Sequence, residues 1–262
     1  MFETIGIGMD ARGVARLTLN RAEKHNAMSA RMIEELTAAA ARLGADPAVR
    51  VVVLAAEGES FCAGGDLGWM REQMAADGAT RAREARKLAH MLRALNELPK
   101  PLIGRVQGQA FGGGMGLISV CDTAIAAAGA RFGLTETRLG LIPATIGPYV
   151  AARVGEAMAR RVFFSARLFG AAEALRLGFL AEVVAPEDLD AAVEAEVAPY
   201  LACAPGAVAE AKALLRRFGP AIDDGVIEAS IAALVRRWES EEARAGVEAF
   251  FARRPAAWAR PD

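Results

Sequence analysis

Apolar and polar residues repeat along this chain with two different periods. Residues 13–20 (GVARLTLN) alternate as a half-buried strand does, whereas the apolar positions between Met32 and Leu43 keep helical spacing behind Ser29, a favourable N-cap. Short apolar runs predict three more strands, at 49–55, 101–106 and 123–127. Longer amphipathic stretches predict helices at 69–98, 115–121, 146–154, 158–164, 171–177, 189–201, 205–218 and 227–251.

The order of these elements predicts the fold class. Strands and helices alternate over the first two thirds of the chain, and helices alone follow. This order is typical of an α/β protein with a helical C-terminal region. We place the α/β core at residues 1–200 and the helical region at residues 201–262. No repeat of fixed period is visible, although strand–strand–helix units are compatible with a spiral.

A glycine-rich turn follows the predicted strand at 101–106. It contains Gly112, Gly113 and Gly114, and a helical pattern begins directly after it. Glycine lets backbone amides approach a ligand closely, and the start of a helix offers unpaired N–H groups and a positive dipole end. The spacing matches neither a dinucleotide motif nor a P-loop, and no GxSxG nucleophile motif occurs. Taken alone, the turn fits tight packing and a ligand site equally well.

A second glycine turn and one isolated carboxylate complete a possible site. Residues 61–66 (FCAGGD) lie between a strand and a helix, where Asp66 fits an N-cap and the Gly65 N–H is free to act as a hydrogen-bond donor. An oxyanion hole needs two such amides to converge on one oxygen. Glu136 is the only carboxylate between Asp122 and Glu156, in an apolar setting. Two amides and one acid/base form a minimal site for enolate chemistry.

Composition narrows the classes of function. The 262 residues are 53% hydrophobic with a net charge of −1 and no polybasic run, which argues against nucleic-acid and membrane partners. No apolar run approaches the ~18 residues of a membrane span. Three separated cysteines and two histidines give no disulfide or zinc pattern, so we expect no metal. The first twenty residues lack a signal-peptide pattern, and we expect a cytoplasmic protein.

Four segments together resemble the enoyl-CoA hydratase/isomerase (crotonase) superfamily. In order and spacing they cover most of residues 13–180. The amino-acid sequence around the glycines and Glu136 is similar to that of the bacterial 3-methylglutaconyl-CoA/γ-carboxygeranoyl-CoA hydratase branch. The four segments are 20–29 (NRAEKHNAMS), 61–70 (FCAGGDLGWM), 106–126 (VQGQAFGGGMGLISVCDTAIA) and 131–143 (RFGLTETRLGLIP).

The resemblance implies a crotonase-like spiral of ββα units that binds an acyl-CoA thioester. It makes Gly65 and Gly113 the oxyanion-hole amides and Glu136 the catalytic carboxylate. It places Lys24 and residues 63–67 along the CoA groove, with the adenine near Ala63 and Leu67. It also implies a homotrimer or a hexamer built as a dimer of trimers, with no tightly bound cofactor, because CoA arrives within the substrate. The implied substrate-binding residues are Lys24, Ala27, Ala63, Gly64, Asp66, Leu67, Phe111, Gly112 and Thr135.

One departure from the family pattern keeps three functions open. Many hydratases of this family carry a second glutamate where this chain has Gly116. A hydratase with Glu136 alone is our first hypothesis, with 3-methylglutaconyl-CoA or a related branched thioester as substrate. Arg138 either faces the distal carboxylate of that substrate or forms an ion pair or an interface contact. The second is an isomerase that moves a 3-enoyl to a 2-enoyl double bond. The third is a non-catalytic acyl-CoA-binding protein.

Overall fold

Nine strands form two sheets in the computed structural model, which describes residues 2–260. The six-stranded sheet has the order β1-β2-β3-β4-β6-β9, antiparallel between β1 and β2 and parallel elsewhere, and the three-stranded sheet has the order β5-β7-β8. The strands are β1 (Ile5–Met9), β2 (Val14–Leu19), β3 (Val51–Ala56), β4 (Leu102–Val106), β5 (Ala110–Phe111), β6 (Thr123–Ala127), β7 (Arg131–Gly133), β8 (Leu168–Gly170) and β9 (Glu182–Val184).

Ten helices cover the sheets and make up the C-terminal part of the described chain. Three short 3₁₀ turns, Ala22–Lys24, Glu136–Leu139 and Pro186–Asp188, connect them. The helices are α1 (Ala30–Ala45), α2 (Leu67–Ala75), α3 (Gly78–Asn96), α4 (Gly113–Val120), α5 (Gly147–Phe163), α6 (Ala171–Leu177), α7 (Leu189–Leu201), α8 (Pro205–Phe218), α9 (Asp224–Trp238) and α10 (Glu241–Phe251).

Strand β3 shows why the large sheet is buried on both faces. Successive side chains of a strand point to opposite faces, so Val52 and Leu54 join the main core, while Val51 and Val53 pack with the apolar residues of α7. The predicted buried strand is confirmed, and its continuous apolar run is typical of a parallel strand with helices on both sides.

The chain winds through both sheets as it advances. After β4 and after β6 of the large sheet it adds a short strand to the small sheet and then a helix, giving β4–β5–α4 and β6–β7–α5. This repeated ββα unit is the predicted spiral. It brings the turn before α4 and the turn after β7 to one side of the molecule, because β5 and β7 are hydrogen-bonded neighbours.

Several predicted helix limits were wrong, for local reasons. The stretch 69–98 is two helices, because Asp77 caps a new start by accepting a 2.7 Å bond from Thr80 N. The stretch 227–251 also breaks, at Ser240, whose hydroxyl accepts from Ala243 N. The helices predicted at 146–154 and 158–164 are the two parts of α5, which leaves helical geometry at Gly155 (φ +72°).

The last helices pack back onto the core. Helix α9 buries Ile227 and Ile231 against α3. Helix α8 has no buried residue, and Lys212 anchors it by donating to Asp122 Oδ2 at 2.6 Å and Lys100 O at 3.0 Å. The division at residue 200/201 stays a prediction, and its last two positions, 261–262, lie outside the described residues. Over residues 2–260, none of the helices has the length and apolar content for a bilayer span.

Candidate active site

Two glycine turns lie against each other at the centre of the site. We call residues 63–66 the first turn and residues 111–114 the second. Gly64 has φ +95°, and a Cβ built on it would lie 3.1 Å from Phe111 O and 3.9 Å from the Gly112 Cα. A Cβ on Gly114 would lie 2.5 Å from Cys62 O. Only glycine permits this approach of two backbones.

Backbone hydrogen bonds fix the two turns and leave two amides unused. Met28 N donates to Gly64 O at 2.7 Å, and Asp66 N donates to Met28 O at 3.0 Å, so the bonds flank Gly65 without using its N–H. Gly113 is the first residue of α4, and the first N–H groups of a helix have no partner within it. Within residues 2–260, neither Gly65 N nor Gly113 N has a backbone acceptor.

The helices behind these turns strengthen the donors. Asp66 caps α2 by accepting from Gly68 N at 2.8 Å and Trp69 N at 3.2 Å, and its other oxygen pairs with Arg21 at 3.1 Å. The positive dipole end of α4 lies at Gly113 itself. Two free amides on neighbouring turns, one of them at a helix start, can stabilise a negative charge that develops on an oxygen atom.

Glu136 faces the second turn from the 3₁₀ turn that follows β7. A Cβ on Gly112 would lie 3.1 Å from Glu136 Oε1, whereas Oε2 is fully covered and has no hydrogen-bond partner. Burial in these apolar surroundings raises the pKa of Glu136 to about 7. A carboxyl group with such a pKa can both take and give a proton at neutral pH.

The C-terminal helices hold the 3₁₀ turn of Glu136 in place. Arg237 of α9 donates twice to Gly140 O, at 2.9 and 2.6 Å, directly after the turn. A Cβ on Gly246 of α10 would lie 2.5 Å from Leu139 O, so α10 contacts the turn backbone to backbone. The sequence pattern gave no signal for these contacts, because they join residues about a hundred positions apart.

A cavity of about 410 Å³ opens in front of the amides and Glu136. Its walls are mostly apolar, and Glu136 and Arg138 are the titratable side chains on them. Of the residues predicted for the site, nine line it: Ala63, Gly64, Gly65, Leu67, Phe111, Gly112, Gly113, Thr135 and Glu136. The C-terminal helices close one wall with Leu234, Trp238 and Phe250 of the same chain.

Three of the predicted binding residues lie beside the cavity rather than on its wall. Lys24 is exposed on the first 3₁₀ turn, and Ala27 is buried next to it with its carbonyl bound to Arg21. Asp66 is held in the cap of α2 described above. Their roles toward a ligand stay predictions.

The two buried cysteines have a structural role in the core. Cys62 and Cys121 are buried, and burial raises the pKa of each thiol to about 12, as expected of small core residues. Within residues 2–260 no group of three His, Cys, Asp or Glu side chains is placed to hold a metal ion.

The position of the missing second carboxylate is filled by Ile146. A Cβ on Gly116 would lie 2.5 Å from Ile146 Cγ2 and 3.1 Å from Ile146 Cβ. The packing of α4 against the start of α5 therefore leaves no space for a glutamate side chain at Gly116. Sequence reasoning found the departure at Gly116 but missed Ile146, thirty residues away.

Comparison with known proteins agrees with this geometry. The family model described as enoyl-CoA hydratase/isomerase matches residues 10–261. The (E)-benzylidenesuccinyl-CoA hydratase of Thauera aromatica is 32% identical over 250 residues, covering 94% of this chain and 95% of that one. An enoyl-CoA hydratase structure from Shewanella pealeana matches with a TM-score of 0.81 at 36% identity, covering 98% of this chain and 97% of that one. AtuE of Pseudomonas aeruginosa matches with a TM-score of 0.81 at 37% identity, covering 98% of this chain and all of that one.

These relatives confirm the predicted α/β fold with its helical C-terminal region. They match almost the whole chain, and the matched part includes both glycine turns and Glu136. The chain belongs to the enoyl-CoA hydratase/isomerase family.

Proposed function

We propose that this protein is a hydro-lyase that adds water reversibly to a 2-enoyl-CoA thioester. The observation that carries the proposal is the close contact of two glycine turns, each with an amide that has no backbone acceptor, Gly65 N–H and Gly113 N–H, beside the buried Glu136. The thioester oxygen binds both amides. As water adds at C3, negative charge grows on that oxygen and both hydrogen bonds strengthen, so they stabilise the transition state more than the substrate.

In this proposal Glu136 serves as both base and acid. Its carboxylate takes a proton from water, and the π electrons of the C2–C3 bond shift to form an enolate on the thioester oxygen. The same carboxyl group then returns the proton to C2 on the same face. The fully covered and unpaired Oε2 keeps the carboxyl group poorly solvated, which favours its neutral form between the two steps.

The proposed mechanism predicts an acid limb in the pH–rate profile. Water addition begins from ionised Glu136, whose pKa burial raises to about 7. We expect kcat to fall tenfold per pH unit below about pH 7 and to level off above it. Steady-state rates between pH 5 and 9 measure this. A kcat that stays level down to pH 5 would contradict a base whose pKa is raised by burial.

The rest of the substrate is proposed to follow the family's CoA groove. Lys24 and residues 63–67 line it, with the adenine near Ala63 and Leu67, and Ala27, Phe111, Gly112 and Thr135 are the other proposed substrate contacts. No tightly bound cofactor takes part. A cytoplasmic homotrimer or hexamer is the proposed assembly, supported by Leu214, Leu215 and Phe218, which α8 leaves 52%, 70% and 76% exposed.

For the acyl group we propose 3-methylglutaconyl or a related branched chain with a distal carboxylate. The mostly apolar cavity suits a branched hydrocarbon. Arg138 lies on its wall and donates to Ala166 O at 3.1 Å. The name of the Thauera relative, a benzylidenesuccinyl-CoA hydratase, also describes an acyl group with a second carboxylate.

A panel of thioesters analysed by mass spectrometry tests the proposal. Crotonyl-CoA, 3-methylglutaconyl-CoA and a 3-enoyl-CoA are incubated with the purified protein. A mass gain of one water is expected on the 2-enoyl thioesters, with the highest kcat/KM on 3-methylglutaconyl-CoA. If crotonyl-CoA is instead the better substrate, the hydratase proposal stands, but the proposal of an acyl group with a distal carboxylate is wrong.

Isomerisation is the second candidate, and the observation in its favour is the single carboxylate. Glu136 alone is enough to carry a proton from C4 to C2 of a 3-enoyl-CoA, and Ile146 leaves no room for a second acid at Gly116. Double-bond migration without a mass change would identify the isomerase. Binding of every thioester without turnover would identify the third candidate, a non-catalytic acyl-CoA-binding protein.

A further inference from the structure

The wall that lacks a carboxylate still borders the reacting atoms. Gly116 lies three residues after Gly113, so both occupy one face of α4, and Ile146 covers Gly116. Glu136 approaches the second turn at Gly112. Glu136 and the start of α5, at Thr145 and Ile146, line the same cavity, and a water molecule held there by Glu136 needs a second polar contact.

Thr145 supplies an unused hydroxyl on this second wall. It is adjacent to Ile146, lines the cavity, and is only 6% exposed. Within residues 2–260 its side chain makes no hydrogen bond, and its Oγ1 is not completely covered by protein atoms. The hydroxyl therefore keeps some exposed surface on a residue that lines the cavity. Helix α5 begins two residues later, at Gly147, so its positive dipole end lies at the same wall.

We propose that the Thr145 hydroxyl holds the attacking water together with Glu136, in the role that a second carboxylate would otherwise have. This inference rests on the proposed hydratase function. Water donates one hydrogen to Glu136 and the other to Thr145 Oγ1, which leaves an oxygen lone pair for C3. The new C3–O bond forms as Glu136 takes the first proton, which it later gives to C2. The second hydrogen stays on the product hydroxyl.

A neutral hydroxyl suits this site better than a second carboxylate would. A hydroxyl accepts a hydrogen bond and donates one without adding charge. A second buried carboxylate near Glu136 would raise the cost of ionising both groups. With Thr145, one negative charge is enough for the reaction, and the start of α5 stabilises hydroxide character on the water as its proton leaves.

The test compares Thr145→Val, which keeps the shape without the hydroxyl, with Thr145→Ser, which keeps the hydroxyl. Two rates are measured for each: hydration of crotonyl-CoA, and exchange of the α-hydrogens of butyryl-CoA in D₂O, which needs Glu136 and the amides but no attacking water. We expect Thr145→Val to lower kcat for hydration about 10- to 100-fold, as loss of a hydrogen bond does. The ratio of hydration to exchange should fall at least about tenfold, and serine should restore most of it.

Three other results would contradict either the role of Thr145 or the proposed hydratase function. Wild-type hydration with an unchanged ratio in Thr145→Val would refute the role of Thr145 alone. Equal loss of hydration and exchange, without rescue by serine, would show that Thr145 is structural, which thermal unfolding of both variants would corroborate. A wild-type protein that hydrates none of the thioesters would refute the proposed function itself and the inference with it.

Discussion

Replacing Glu136 by glutamine is expected to lower kcat for hydration by about 10²–10⁴-fold, the usual contribution of a general acid/base. Glutamine has nearly the same shape but cannot take a proton from water. The two glycine turns contact each other without involving the Glu136 carboxylate, so the Gly65 and Gly113 amides should stay in place. Stopped-flow or steady-state loss of the enoyl absorbance measures the change, and KM should move much less than kcat.

The stability of the same variant provides an independent check. The raised pKa means that the folded protein binds the Glu136 proton more tightly than the unfolded chain does, so ionisation lowers folding stability as pH rises from about 4.5 to about 7. Glu136→Gln has no such charge, and its Tm at pH 8 should exceed that of the wild type. Glu156→Gln, at an exposed pair with Arg160, is the matched control and should change neither rate nor Tm. Near-normal hydration by Glu136→Gln would remove Glu136 from the mechanism.

Substituting alanine for Gly114 is expected to lower kcat by about 10²–10³-fold, comparable to the loss of one oxyanion donor. The new Cβ would lie 2.5 Å from Cys62 O, a backbone atom that also accepts a bond from Phe111 N. The two glycine turns must separate, and the Gly65 and Gly113 amides then no longer converge. Overpacking of this kind should also cost about 1–3 kcal/mol of folding stability.

Gly206 offers a closely matched control for this substitution. Gly114 and Gly206 are each the second residue of a helix, α4 and α8, but nothing lies within 4 Å of a Cβ on Gly206. Helix propensity alone would make both alanine variants more stable. We expect Gly206→Ala to keep full activity and a slightly raised Tm, whereas Gly114→Ala loses both. Wild-type kcat in Gly114→Ala would show that this contact does not set the spacing of the amides.

Local sequence patterns predicted the parts of the fold that local physics determines. Strands β2, β3, β4 and β6 and most helices follow from periodicity, and Ser29 and Asp66 cap helices as expected. Strands β5, β7 and β8 have two or three residues, too few to show a period. The helix breaks at Asp77 and Ser240 had capping residues in the sequence, but the apolar pattern continues across them.

The candidate site also has residues that the sequence predicts and residues that it does not. The glycine turns and Glu136 are visible in the sequence because each is a short motif beside a recognisable element. Ile146, Thr145 and Arg237 matter through contacts with residues distant in the chain, and no pattern around them indicates those contacts. Their positions follow only from the way the ββα units and the last helices pack.

The contacts of α9 and α10 with the turn of Glu136 have a consequence for the protein during its synthesis. Glu136, both glycine turns and every strand precede residue 190, so most of the fold can form while the rest of the chain is still being translated. The Arg237 bonds to Gly140 and the contact of Gly246 with Leu139 arrive only with the last helices. A nascent chain that already has its α/β core would therefore have no finished reaction centre, and its activity would begin only when α10 leaves the ribosome.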